Sequence, residues 1–160
     1  GEMKQVIQKV IVCDFNGNIL ELDHDTMEFG YRKSIIRNKP FVVLEVWMDL
    51  VPGEKSVIRE KIDGFWESRR EKQPLEYPSA GSTFKRPEGY FAGKLIMDCG
   101  LRGFQIGGAR VSDKHCGFVI NTGDATATDI YQLIQEIKKN VKDKFGVELE
   151  QEVVMNGDFS

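Results

Sequence analysis

ATATDIYQLIQEIKKNVKDKFGVELEQEVVM, residues 125–155, decides the class of fold, because a helical pattern and a strand pattern follow one another inside it. Thr126 followed by Asp129 is a capping box, in which each side chain answers a backbone N–H that the first turn of a helix leaves without a partner. Ile130, Leu133, Ile134, Ile137, Val141 and Phe145 recur at helical spacing. Lys142 and Lys144 stand where cations suit the helix dipole, and Gly146 supplies the stop, so the pattern predicts a helix over 127–145. The alternation in VELEQEVVM predicts a final strand immediately after it.

Working toward the N-terminus, Ala92–Cys99 reads as a short helix closed by Gly100, and Val111 and GFVI at 117–120 read as strands. QVIQKVIVC (5–13) and NILEL (18–22) are β-rich runs joined by Asn16-Gly17, a strong hairpin signal. FVVLEVWMDLV (41–51) is a long strand ended by Pro52-Gly53. A helix is expected next, since Val57, Ile58, Ile62, Phe65 and Trp66 share helical spacing and the pattern stops before Pro74. The whole is an α+β chain, with no internal repeat and no low-complexity linker.

The charge is 22 Lys+Arg against 25 Asp+Glu, a formal −3, and it is spread evenly: residues 1–80 hold 12 basic and 14 acidic residues, residues 81–160 hold 10 and 11. Without a basic arm or face, a nucleic-acid binder is not indicated. Cys13, Cys99 and Cys116 are odd in number and form no C-x-x-C pair, which points to a reducing compartment and to small buried or half-buried hydrophobes. His24 and His115 lie far apart in sequence with no cysteine pair near either, so no metal site is expected, and His115 reads as a polar turn residue. No signal peptide opens the chain, and 41–51 is too short and acid-interrupted to span a bilayer, so a cytoplasmic protein is expected.

Known loop motifs fail when tested. GYFAGKL at 89–95 is one residue short of a P-loop and places Leu where magnesium needs a hydroxyl; GFQIGGA at 103–109 lacks dinucleotide-fingerprint spacing; Phe84 replaces the second glycine of a nucleophile elbow around Ser82. What stands out is EYPSAGSTFKRP, residues 76–87, a small hydroxyl-bearing loop between Arg69, Arg70 and Lys72 on one side and Lys85 and Arg86 on the other. Five basic residues against Glu71 and Glu76 make a local +3 in a chain of −3. That excess suits an anion such as phosphate or carboxylate. On spacing alone the solvated end of a helix, where cations favour the dipole, is the stronger reading.

EYPSAGSTFKRP, with FGYRKS (29–34), AGKLIMDCGLRGFQIGGARVSDKHCGFVIN (92–121), ATATDIYQLI (125–134) and FGVELEQEV (145–153), resembles the UDP-N-acetylenolpyruvoylglucosamine reductases (MurB), block by block and in order over nearly the whole chain. The resemblance implies reduction of the enolpyruvyl ether of UDP-N-acetylglucosamine to UDP-N-acetylmuramate in bacterial peptidoglycan synthesis. FAD, itself reduced by NADPH, gives the hydride, and a protein acid gives the proton. By resemblance Ser82 is that acid, Arg32 pairs with the substrate carboxylate, and Glu152 supports charge and proton movement. Tyr31, Lys72, Arg86 and Gln105 match substrate-binding positions. Outside the motif Ser82 would read as a turn serine, Glu150 and Glu152 as neighbours on one face of a strand, and Tyr31 as an amphipathic rim residue.

The chain departs from the family in three ways. Arg86 stands where one branch has asparagine. Residues 41–51 run almost directly into the next helix with no room for a tyrosine-bearing lid, as in the lid-less branch. Gly1-Glu2-Met3 matches the interior of a flavin domain, so a glycine-rich N-terminal flavin segment is expected to be missing. The expected organisation is a partial FAD-binding domain over 1–75, a substrate-binding domain over 76–155 and a tail over 156–160. The rival reading is a non-enzymatic UDP-sugar or anion-binding module that has lost the flavin.

Overall fold

In the NG hairpin, the carboxylate of Asp14 accepts from the backbone N–H groups of Asn16 and Asn18, both at 2.9 Å, and Gly17 takes the left-handed φ of 87° that the turn requires. The strands it joins are β1 (Ile7–Asp14) and β2 (Ile19–Asp23). The chain, a computed structural model describing residues 1–158, divides into two compact units, Gly1–Ile58 and Arg59–Ser160.

The first unit is a three-stranded antiparallel sheet ordered β2-β1-β3, with β3 spanning Phe41–Met48. Register shifts in the β1/β3 pair leave Val10 opposite Val46 and Val12 opposite Val43. One face is covered: Ile7, Val10, Val12, Leu22 and Met27 are buried, with Phe29, Ile35, Ile36 and Phe41 packed against them. Except at half-buried Phe41, β3 is exposed along its length.

The second unit holds most of α1 (Lys55–Lys72), then β4 (Ser79–Ser82), α2 (Ala92–Asp98), β5 (Gln105–Ile106), β6 (Ala109–Val111), β7 (Phe118–Asn121) and α3 (Ala127–Phe145). Its strands form an antiparallel sheet ordered β4-β7-β6-β5. The α+β class expected from sequence is what forms. The caps of α3 form as predicted: the Thr126 hydroxyl accepts from Asp129 N at 3.1 Å, the Asp129 carboxylate from Thr126 N at 2.9 Å, and Gly146 closes the helix at φ 68°. Its apolar stripe, Leu133, Ile134, Ile137 and Val141, is buried against Ala109, Val111 and Val119 of the sheet and against Leu95 and Ile96 of α2. Each such side chain contributes about 1.5–3 kcal/mol relative to exposure.

Two expectations need correction, while the helix expected before Pro74 forms as α1 with its apolar positions uncovered. The small loop at 76–87 contains a strand, β4, at the sheet edge. The final strand expected over 147–155 is an extended tail with a single bridge, Gln151 to Phe84. Leu149 is buried and Val153 packs on the core, so the alternation reports burial, but Pro87 soon ends the partner segment because it has no N–H to continue a ladder. The apolar positions of α1, Val57, Ile58, Ile62, Phe65 and Trp66, are all exposed.

Candidate active site

Ser82 ends β4 at a bulge. Ser79 pairs with Ile120 and Ser82 with Phe118, so two residues on β4 lie between the pairs against one on β7, and Gly81 absorbs the extra residue at φ 85°. The bulge re-aims the chain so that Ser82 is exposed while the next residue, Thr83, is 2% exposed and anchored, its hydroxyl accepting from Val119 N at 3.0 Å. A rigid anchor directly after an exposed hydroxyl is how a bulge presents a side chain to a ligand.

Paired residues on neighbouring strands share a sheet face. The pairs Ser82/Phe118, Ile120/Arg110 and Arg110/Gln105, with Phe118 and Ile120 two apart on β7, therefore put Ser82, Arg110 and Gln105 on one face. It is the face opposite α3, whose side of the sheet carries Ala109, Val111 and Val119. Gln105 is exposed, and its amide donates to Gly107 O at 2.7 Å. Lys72 is the last residue of α1 and is exposed. The end of that helix is tied down by Lys114, whose ammonium donates to Arg70 O at 2.6 Å and lies 3.6 Å from the Glu76 carboxylate. Arg86 stacks on Phe91, with its guanidinium carbon 4.0 Å from the ring centre. Glu152 is half-buried, and its backbone donates to Thr83 O at 2.8 Å, so it is held beside the segment that carries Ser82. Glu150 pairs with Lys85.

Tyr31 and Arg32 belong to the first unit. They form the tip of a two-residue turn closed by Gly30 N to Lys33 O at 2.9 Å and Lys33 N to Gly30 O at 3.2 Å. Arg32 has φ 55°, a conformation an arginine adopts only under constraint, and Arg37 donates to its carbonyl at 3.1 Å. A cleft of about 460 Å³ beside the turn is lined by Lys4, Arg32, Lys33 and Arg37 among others, with Glu2 the acid, which suits an anion. Among the described residues of 1–58, Gly1, Gly17, Gly30 and Gly53 are scattered through separate segments rather than clustered as a pyrophosphate cradle. None of these four glycines is therefore assigned to a flavin pyrophosphate.

The structure thus brings Ser82, Gln105 and Glu152 into one unit with Lys72 and Arg86, and places Tyr31 and Arg32 on a strained turn of the other. Sequence reasoning missed Lys114, Arg110 and Arg37. Arg110 had a signal: in the run Ala-Arg-Val it alternates between two core residues and so must face away from the core.

A family model described as the UDP-N-acetylenolpyruvoylglucosamine reductase C-terminal domain matches residues 73–156. The reductase of that name from Lachnoclostridium phytofermentans is 56% identical over 99% of this chain and 51% of its own length. That from Caldanaerobacter subterraneus is 55% identical over 99% of this chain and 52% of its own length. The crystal structure of UDP-N-acetylenolpyruvylglucosamine reductase (MurB) from Thermus caldophilus superposes with a TM-score of 0.79 at 32% identity, over 95% of this chain and 54% of that one. The chain spans about half the length of the curated relatives it matches.

Proposed function

Since the chain belongs to the UDP-N-acetylenolpyruvoylglucosamine reductase (MurB) family, we propose that it carries the substrate side of that reaction, converting UDP-N-acetylglucosamine enolpyruvate to UDP-N-acetylmuramate for peptidoglycan synthesis in the bacterial cytoplasm. Residues 76–155 act as the substrate domain and residues 1–75 as part of a flavin-binding domain. FAD reduced by NADPH supplies the hydride when bound.

Hydride addition at the methylene carbon leaves an enolate conjugated with the carboxylate, and the adjacent carbon then needs a proton. Arg32, held in its turn by the Arg37 contact, stabilises the carboxylate and the charge that develops on it. Ser82 gives its hydroxyl proton to that carbon, with Glu152 beside it to support the transfer. An alcohol is a weak acid, so nearby cations and a relay that restores the proton are needed to lower the barrier. Tyr31, Lys72, Arg86 and Gln105 hold the UDP-sugar.

The observation that carries this reading is the β4 bulge, which exposes Ser82 on the sheet face that also bears Gln105. The test is to supply the complete natural protein with the enolpyruvyl substrate and NADPH and follow product by mass. Product formation dependent on NADPH is expected. UDP-sugar binding with no turnover would instead support the module that has lost its flavin.

A further inference from the structure

Arg110 is placed as a ligand-binding arginine would be, yet it belongs to none of the assignments above. It lies at the centre of the face that bears Ser82, paired across strands with Gln105 on one side and with Ile120, 1% exposed, on the other. Its guanidinium carbon stands 5.6 Å from the ring centre of Tyr77, which limits its freedom. Its Nε is buried with no hydrogen-bond acceptor, the nearest carboxylate oxygen, on Asp113, being 4.0 Å away. That separation is beyond hydrogen-bond reach. A buried N–H left without an acceptor is costly, and a planar guanidinium whose ion pair with Asp113 is this long is suited to a bidentate oxyanion.

The neighbouring cation, Lys114, is not an equivalent candidate, because its ammonium is engaged with Arg70 O and Glu76. The choice between the two anionic parts of the substrate follows from spacing. Arg110 sits two strands from Ser82, about 10 Å across the sheet. That is too far to share the reacting enolpyruvyl group, and the distance suits a group on the far side of the hexose ring. Gln105, on the adjoining strand, is one of the residues given above to the UDP-sugar.

We propose that Arg110 binds the diphosphate of the UDP-sugar, with Tyr77 holding its guanidinium in place and Gln105 beside it. The proposal deepens the UDP-sugar reading and rests on it. The step is binding only, with no bond made or broken.

The test uses the complete natural protein and two probes, UDP and uridine, titrated by calorimetry against wild type, Arg110→Met and Arg110→Lys, with melting curves confirming that each variant is folded. Arg110→Met should weaken UDP by about tenfold to a hundredfold and leave uridine unchanged. Arg110→Lys, which keeps the charge without the fork, should recover part of the loss, and the salt dependence of UDP binding should be shallower in Arg110→Met. UDP affinity unchanged in a folded Arg110→Met, or an equal loss for UDP and uridine, overturns the assignment while leaving the reductase reading intact. Wild-type protein that does not bind UDP overturns both.

Discussion

Arg32 sits at a positive φ, where a residue with a Cβ carries backbone strain. At φ 55° an L-residue with a Cβ is disfavoured by roughly 1–2 kcal/mol, whereas glycine is not, although glycine gives back part of the gain as unfolded-state entropy. Arg32→Gly should therefore raise the stability of the complete protein by up to about 1 kcal/mol in denaturant melts while lowering kcat for the enolpyruvyl substrate by at least about a hundredfold. A less stable variant, or one with undiminished turnover, would remove Arg32 from the site. Ser82 makes a second, independent prediction. Ser82→Ala should leave reduction of the flavin by NADPH near the wild-type rate and slow its reoxidation by substrate by about 10² to 10⁴. Stopped-flow absorbance separates the two half-reactions. Ser82→Cys, whose thiol can still give a proton, should fall between serine and alanine. Equal reoxidation rates in the alanine and wild-type proteins would make Ser82 a turn residue and Glu152 the next acid to test. Lys72→Ala should raise KM with kcat little changed, because a phosphate contact made equally in ground and transition states acts on binding.

The turn at Gly107-Gly108 is packed beneath the N-terminus of α3. A Cβ on Gly108 would lie 2.3 Å from the backbone N of Ala125, and one on Gly107, itself at φ 52°, would lie 2.4 Å from the Asp129 carboxyl carbon. Backbone cannot give way, so Gly108→Ala should destabilise the protein by about 1–3 kcal/mol. The same junction sets a pH dependence. Asp129 has its pKa lowered by the hydrogen bond from Thr126 N, helped by the Thr126 side chain and by the Gly108 N–H. A folded-state pKa below the unfolded one means that stability is present above the ordinary aspartate range, and falls as pH drops through the lowered folded value. Asp129→Asn should lower the melting temperature at neutral pH and flatten the loss below about pH 4, and Thr126→Ala should cost about 1 kcal/mol. An acid limb as steep in Asp129→Asn as in wild type would assign the loss to other carboxylates. The helix was legible because capping box, apolar stripe and glycine stop are all local in sequence. The glycine pair failed a dinucleotide-loop test and gave no alternative reading, since its reason is contact with a helix that begins about 20 residues later. The β4 bulge was likewise hidden. SAGS reads as a loop by composition, and only its pairing with β7 makes it a strand.

Across the molecule, the two units differ in how completely their apolar surface is covered. In Arg59–Ser160 the sheet packs against α2 and α3, whereas β3 of Gly1–Ile58 leaves Val42, Leu44, Val46, Trp47 and Met48 exposed, Leu44 to 50% and Trp47 to 54%. β3 is also an edge strand, carrying unpaired backbone groups along one side. A long apolar edge of this kind is a template for pairing with another chain. The apolar run of 41–51, ended by Pro52-Gly53, forecast the strand but could not say that it lies at an edge, because strand order is a property of pairing. Residues 1–160 purified alone should therefore self-associate as concentration rises, seen in sedimentation velocity as a weight-average coefficient that climbs, and should bind a hydrophobic dye. Leu44→Lys combined with Val46→Lys places two like charges on the exposed strand, as natural edges do. The double variant should sediment closer to a monomer and bind less dye, with its melting temperature shifted little because neither side chain is in the buried core. A wild-type chain that stays monomeric over the same range, or a double variant that associates as strongly, would show that β3 is not the adhesive surface.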